Sequence, residues 1–155
     1  MIIRFVKGTK LGSLFIEWQE KTAMPFTPSH VEALTPDGFY LGAHIGSGIK
    51  KRQVGYDKDI MSTELLLTLD ATPEQDKKFY EFLATKIGEP YDWRAILGFV
   101  LPHHEHIQDH AICSAYMTLA LRECGWFPFK LAAPAHLISP RDLLLLISAK
   151  MQIPY

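Results

Sequence analysis

Nucleophilic catalysis by a thiol needs a nearby base, usually histidine, and a third polar group to orient that base. The chain holds residues of each type. Cys113 stands in Ala111-Ile112-Cys113-Ser114-Ala115-Tyr116-Met117-Thr118-Leu119-Ala120-Leu121, and apolar residues recur at 113, 116, 117, 120, 121 and 124. This three-and-four spacing predicts a helix with one face on a core. A thiol at its front meets unpaired N–H groups and the positive end of the helix dipole, which favour a thiolate. Upstream, His30 in Ser29-His30-Val31-Glu32 is the candidate base, and His44 after Ala43 is the candidate third member. Glu32 competes with His44 for that role, because a carboxylate is the better partner for an imidazolium. The same pattern also suits a purely structural, buried cysteine.

A second cluster, His103-His104-Glu105-His106 with Asp109 and His110, offers metal chemistry instead. On a helix, His106 and His110 would share a face, with Glu105, Asp109 or His103 as a third zinc ligand. No His-Glu-x-x-His pattern occurs, and Pro102 with the polar composition predicts a loop beside the cysteine. The preferred expectation is therefore no metal and no cofactor, with a zinc hydrolase as the alternative enzyme.

The elements that must position these groups are legible in order. Ile2, Ile3, Phe5 and Val6 predict a first strand ended by Lys7-Gly8-Thr9, and Ser13 to Lys21 a helix. His30 to Leu34 and Phe39 to Ile45 predict a hairpin around Thr35-Pro36-Asp37-Gly38, a type I turn with Gly38 in the left-handed region as a bulge. Counting back from that turn pairs Thr35 with Phe39 and His30 with His44, so both rings share one face with Cβ atoms roughly 4.5–5.5 Å apart. Glu32 falls on the same face opposite Gly42, about 7 Å along the strand from His30. The expectation is that His44 orients His30, and that a one-residue slip would hand the role to Glu32.

Gly46-Ser47-Gly48 is expected to loosen or bulge the second strand before Ile49 to Val54, and Glu64 to Leu69 to form a strand buried on both faces. Thr72-Pro73-Glu74-Gln75 is a capping box opening a helix whose stripe is Phe79, Phe82, Leu83 and Ile87, ended by Gly88. Trp93 to Val100 reads as a short helix, and Pro128, Pro134 and Pro140 mark a surface stretch before a last helix over Asp142 to Lys150. Strands cluster mid-chain among helices, which predicts an α+β fold.

The order of these pieces resembles a known family. Ser29-His30-Val31-Glu32, Leu41-Gly42-Ala43-His44 with Gly48-Ile49, Pro90-Tyr91-Asp92-Trp93, Cys113-Ser114 and Ser139-Pro140-Arg141-Asp142-Leu143 are similar to the circularly permuted NlpC-type papain-like amidases and peptidases. The related lecithin–retinol acyltransferase-like enzymes share the order of histidine strand before cysteine helix. The resemblance implies a permuted papain-like fold in which an antiparallel sheet packs against helices, the nucleophile helix among them. It implies Cys113 as nucleophile, His30 as base and His44 as orienting residue, with Tyr91 and Ser114 lining the site. Substrates would be a small peptide, a peptidoglycan fragment or an acyl group, in a bacterial or phage context. Ala115 replaces an acid usual in the amidase branch, and Ile112 replaces the asparagine of the acyltransferase branch. The amidase branch is favoured. An acyltransferase or thioesterase of the same fold, and a non-catalytic module in a phage or cell-wall assembly, are the other readings.

Composition bounds these readings. A length of 155 residues predicts one domain over 1–155, and 48% hydrophobic with 21% charged residues is ordinary for a soluble protein. A formal net charge of −1 gives no electrostatic case for nucleic acid or an anionic membrane. Arg4 and Lys7 break any leader-like apolar run, and Leu143 to Ile147 is far short of the ~20 residues of a bilayer span. No signal peptide or transmembrane segment is expected, and the chain should be cytoplasmic at synthesis. Cys113 and Cys124 are 11 residues apart, about 16 Å on a helix, so both should be free thiols.

Overall fold

Alternating apolar residues from five segments build an antiparallel sheet: β1 (Ile2–Gly8), β2 (His30–Leu34), β3 (Phe39–His44), β4 (Gly48–Gln53) and β5 (Met61–Thr68). The computed structural model describes residues 1–8, 26–44, 47–88, 111–128 and 133–152. The expected helices over Ser13–Lys21 and Trp93–Val100, the candidate Tyr91 and the His103–His110 stretch lie outside the described residues. Strand order is β4-β3-β2-β1-β5, every pair antiparallel.

Three α-helices follow among the described residues: α1 (Pro73–Thr85), α2 (Ala111–Glu123) and α3 (Pro140–Met151). The α+β class thus stands. Among the described residues, no helix is long and apolar enough to cross a membrane.

Period-two alternation gives the sheet two chemically different faces. Ile3, Phe5, Val31, Ala33, Leu41, Ala43 and Ile49 are at most 3% exposed and form one core with α2. From α2 the expected stripe, Cys113, Tyr116, Met117, Ala120 and Leu121, joins that core with Cys124 just beyond the helix. Each large apolar side chain buried this way stabilises by roughly 1.5–3 kcal/mol. The opposite face carries Arg4, Glu32, His30 and His44, yet Arg4 and Glu32 are 1% and 0% exposed.

The β2–β3 turn has the expected form. Thr35 N–H donates to Phe39 O at 2.8 Å, Gly38 N–H donates to Thr35 O at 2.9 Å, and Gly38 has φ +81°. Ala33 pairs with Leu41 and Leu34 with Tyr40, the register counted from the sequence. The capping box of α1 is also present, with Thr72 accepting from Gln75 N–H and Gln75 answering the Thr72 N–H.

Four expectations are corrected. Ser47 and Gly48 do not bulge one strand. The chain reverses there, Ser47 N–H reaching His44 O at 3.2 Å and Gly48 opening β4 at φ +67°, so that His44 pairs with Gly48. β5 is not buried on both faces; it is an edge strand, with Leu65 and Leu67 packed on the core but Leu66 42% exposed. Ile87 does not belong to the buried stripe of α1, since the helix ends at Thr85 and Ile87 is 41% exposed.

α3 starts earlier than expected. Pro140 is its first residue, behind a second capping box formed by Ser139 and Asp142.

Candidate active site

His30 and His44 face each other because the turn sets their register. Their ring centroids are 4.2 Å apart, and each ring remains about one-fifth exposed. Glu32 lies two residues along β2 and therefore on the same face, buried completely beneath both rings. Its Oε2 is 3.3 Å from His44 Nε2 and 3.5 Å from His30 Nε2. With the register unslipped, Glu32 lies within reach of both rings, and either Glu32 or His44 can orient His30. Gly42 makes room for it, since a Cβ on Gly42 would stand 2.7 Å from Glu32 Cβ.

Two groups that the sequence reading left out hold this carboxylate. Tyr56, in the turn between β4 and β5, donates from its hydroxyl to Glu32 Oε2 at 3.1 Å and lies 2.9 Å from His44 Nε2. Arg4 donates from NH1 to Glu32 Oε1 at 2.6 Å, grips Asp57 through two nitrogens at 2.9 and 3.1 Å, and reaches Glu64 through Nε at 2.6 Å. The guanidinium also stacks 4.2 Å from the Tyr40 ring centroid. A buried, multidentate guanidinium suits this task because its fork meets several carboxylate oxygens at once. The sequence did contain a signal for it: Arg4 and Glu32 occupy inner positions of two apolar strands, where a charge persists only if paired.

Cys113 is the third residue of α2, and it is 3% exposed. Its sulfur interacts with the His30 ring and favours the protonated imidazole. Ser114, expected to line the site, is fully buried and donates its hydroxyl to Ile138 O at 2.5 Å, tying α2 to the segment before α3. Cys113 and Cys124 are not joined in a disulfide, and the Cys124 sulfur lies against Leu121 O and Met1 Sδ.

The charges separate the two histidines. Burial alone would push His30 down, but the Cys113 sulfur and then Glu32 lift it to about 10. Burial pushes His44 down to about 4, with His30 and Arg52 adding to the fall against the pull of Glu32. Burial opposes ionisation of Glu32 too, yet the close His30 and His44 rings, the His30 charge and Arg4 hold its carboxyl well below the usual range. Tyr56 is held well above the usual phenol range by burial and by the Glu32 and Asp57 charges.

At neutral pH the site is therefore an imidazolium at His30, a neutral ring at His44 and a carboxylate between them. Ring resonances followed by NMR should show His30 titrating near 10 and His44 near 4. Coincident titration of both near the ordinary value of about 6.5 would refute the assignment.

Stability follows with opposite signs. The unfolded chain protonates at His44 before the folded one, so stability falls as pH drops from about 6.5 to about 4, by roughly 3 kcal/mol at most. The His30 contribution is complete below about 6.5 and is lost as pH rises through about 10.

The chain matches no family model, no curated protein and no solved structure.

Proposed function

We propose that this chain is a cysteine hydrolase with the strand-before-helix order of a permuted papain-like enzyme, acting on an amide or peptide bond, cell-wall peptides included, or on an ester. One observation carries the reading. A single ring, His30, meets the sulfur of the only cysteine on the buried face of α2 near its first turn, while a buried carboxylate and a second histidine lie behind it at 3.5 Å and at 4.2 Å between ring centroids. This is the nucleophile, base and orienting group that thiol catalysis requires.

In this mechanism the Cys113 thiolate attacks the carbonyl carbon and the carbonyl oxygen takes the negative charge, stabilised by backbone N–H groups early in α2. The tetrahedral intermediate collapses to a thioester as the His30 imidazolium gives its proton to the leaving amine or alcohol. His30, now neutral, takes a proton from water, whose oxygen attacks the thioester. Collapse releases the acid and restores the thiolate–imidazolium pair. Glu32 stabilises the charged ring, and Tyr56 and Arg4 hold Glu32. His44, neutral and wedged between Tyr56 and the His30 ring, fixes the orientation of both. An acyltransferase would run the same steps with an alcohol or amine in place of water.

Alkylation by iodoacetamide, small enough for a nearly buried thiol, tests this reading with mass spectrometry locating the adduct. Cys113 and Cys124 are 3% and 5% exposed, so accessibility does not separate them. Burial holds the Cys124 thiol above its ordinary value. Cys113 should therefore be modified first at neutral pH, and His30→Gln should erase its lead. Equal rates for the two cysteines in the unaltered chain would overturn the proposal.

A further inference from the structure

We propose that His30, Glu32 and His44 form a binding site for a zinc-like divalent cation, and that an ion seated there silences Cys113. One nitrogen from each histidine and one oxygen of Glu32 lie within 4.8 Å of one another. Tetrahedral zinc with bonds of about 2.0–2.1 Å to nitrogen and oxygen sets its donors about 3.3–3.4 Å apart. Glu32 Oε2 stands 3.3 Å from one histidine nitrogen and 3.5 Å from the other, so two edges of such a tetrahedron are already formed.

A second, independent observation points the same way. His30 Nε2 is fully buried and makes no hydrogen bond of acceptable geometry, an arrangement that native interiors avoid. A metal ion satisfies that atom directly, taking the place of the proton that His30 carries at neutral pH and releasing it to solvent.

The surroundings are those of a metal site. Histidine and carboxylate ligands are held by outer partners that fix their orientation. Here Arg4 donates to the Glu32 oxygen that faces away from the histidines, and Tyr56 donates to the oxygen that faces them. A carboxylate oxygen has lone pairs for both a metal and the Tyr56 hydroxyl. Charge also suits a dication once His30 has released its proton: Glu32, Asp57 and Glu64 then outnumber the Arg4 and Arg52 guanidinium groups, Arg52 lying 5.6 Å from the Tyr56 ring. Three protein ligands leave a fourth position for water.

The silencing follows from the lone pairs. A neutral imidazole has one, and once it is on a metal the ring can no longer take up a proton. An ion on His30 therefore removes the base from Cys113. This consequence rests on the proposed hydrolase reading, whereas the binding does not.

The test uses the full chain stripped with a chelator. Zinc is titrated by calorimetry, and cobalt serves as a spectroscopic substitute. The expected result is one ion per chain with the visible absorption of four-coordinate cobalt, an affinity loss of tenfold or more in His44→Gln, and unchanged binding in Cys113→Ala. Thermal unfolding of apo His44→Gln near that of the unaltered apo chain establishes that the loss is local; should it unfold early, His30→Gln takes its place.

Absence of saturable binding, affinity in both histidine variants unchanged from the unaltered chain, or loss of binding in Cys113→Ala would each overturn the site. Unchanged affinity would move the ion to other histidines, and loss in Cys113→Ala would move it to the thiol. Zinc should also slow alkylation of Cys113 in the unaltered chain and not in His44→Gln. Alkylation unaffected by bound zinc would overturn the silencing. A Cys113 that never reacts would count against the hydrolase and leave the calorimetric result standing.

Discussion

Cys113→Ala is expected to abolish turnover, and His30→Gln to lower kcat by a factor on the order of 10^4 to 10^6, since a nucleophile and its base act as one unit. The double variant should lose no more than the worse single one. A panel of muropeptides, peptide amides and acyl esters supplies the assay, with metal chelated throughout. The size of the effect comes from the arrangement at His30. The same ring contacts the Cys113 sulfur and faces Glu32, so its removal withdraws both the thiolate's counterion and the proton carrier. Turnover surviving in Cys113→Ala would end the hydrolase reading outright. Glu32→Gln should act differently, moving the alkaline limb of the pH–rate profile downward, because the charge that helps hold His30 near 10 is gone.

The second large effect concerns folding. Arg4→Met should destabilise the chain by about 3–5 kcal/mol, which is a large part of the 5–15 kcal/mol typical of a whole domain. Arg4 is 1% exposed, and its loss leaves Asp57, at 5%, without its guanidinium and Glu32, at 0%, with His30 alone to offset its charge. Arg4→Lys should recover little, since one ammonium cannot reproduce the bidentate grip on Asp57 together with the bonds to Glu32 and Glu64. Urea unfolding followed by circular dichroism measures this directly. Lys51→Met, which removes an exposed partner of Asp37, serves as the control and should leave the midpoint in place. A midpoint for Arg4→Met matching that of the control would show that the buried network contributes nothing to the fold.

What could be read in the sequence was local. The turn at Thr35-Pro36-Asp37-Gly38 carries its own geometry, and with it the pairing that sets His30 against His44. The cap of α1 and the buried stripe from Cys113 to Leu121 are likewise written within a few consecutive residues. The network beneath the histidines was not legible, because its members meet across the sheet. Arg4 finds Glu32 28 residues away and Asp57 53 residues away, and no periodicity records such a match. Tyr56 sits in a turn, outside any repeating pattern, and so gave no sign of its place between His44 and Glu32. The hairpin at Ser47 was missed because two glycines in a strand-like run suit a bulge and a reversal alike.

The three-residue loop at Pro36-Asp37-Gly38 has a consequence for how this gene tolerates change. Exposed loops ordinarily accept insertions and deletions more readily than the elements that they join. Pro36, Asp37 and Gly38 are all exposed and 6 to 8 residues from each histidine, so by position they look dispensable. Their number nevertheless sets which side of β3 faces the core. One residue more or fewer would exchange Gly42 and His44 for Leu41 and Ala43, placing a histidine against α2 and an apolar pair over Glu32. Changes of residue type at Pro36 and Asp37 should pass with little penalty, while single-codon indels there should be purged as severely as lesions in the core.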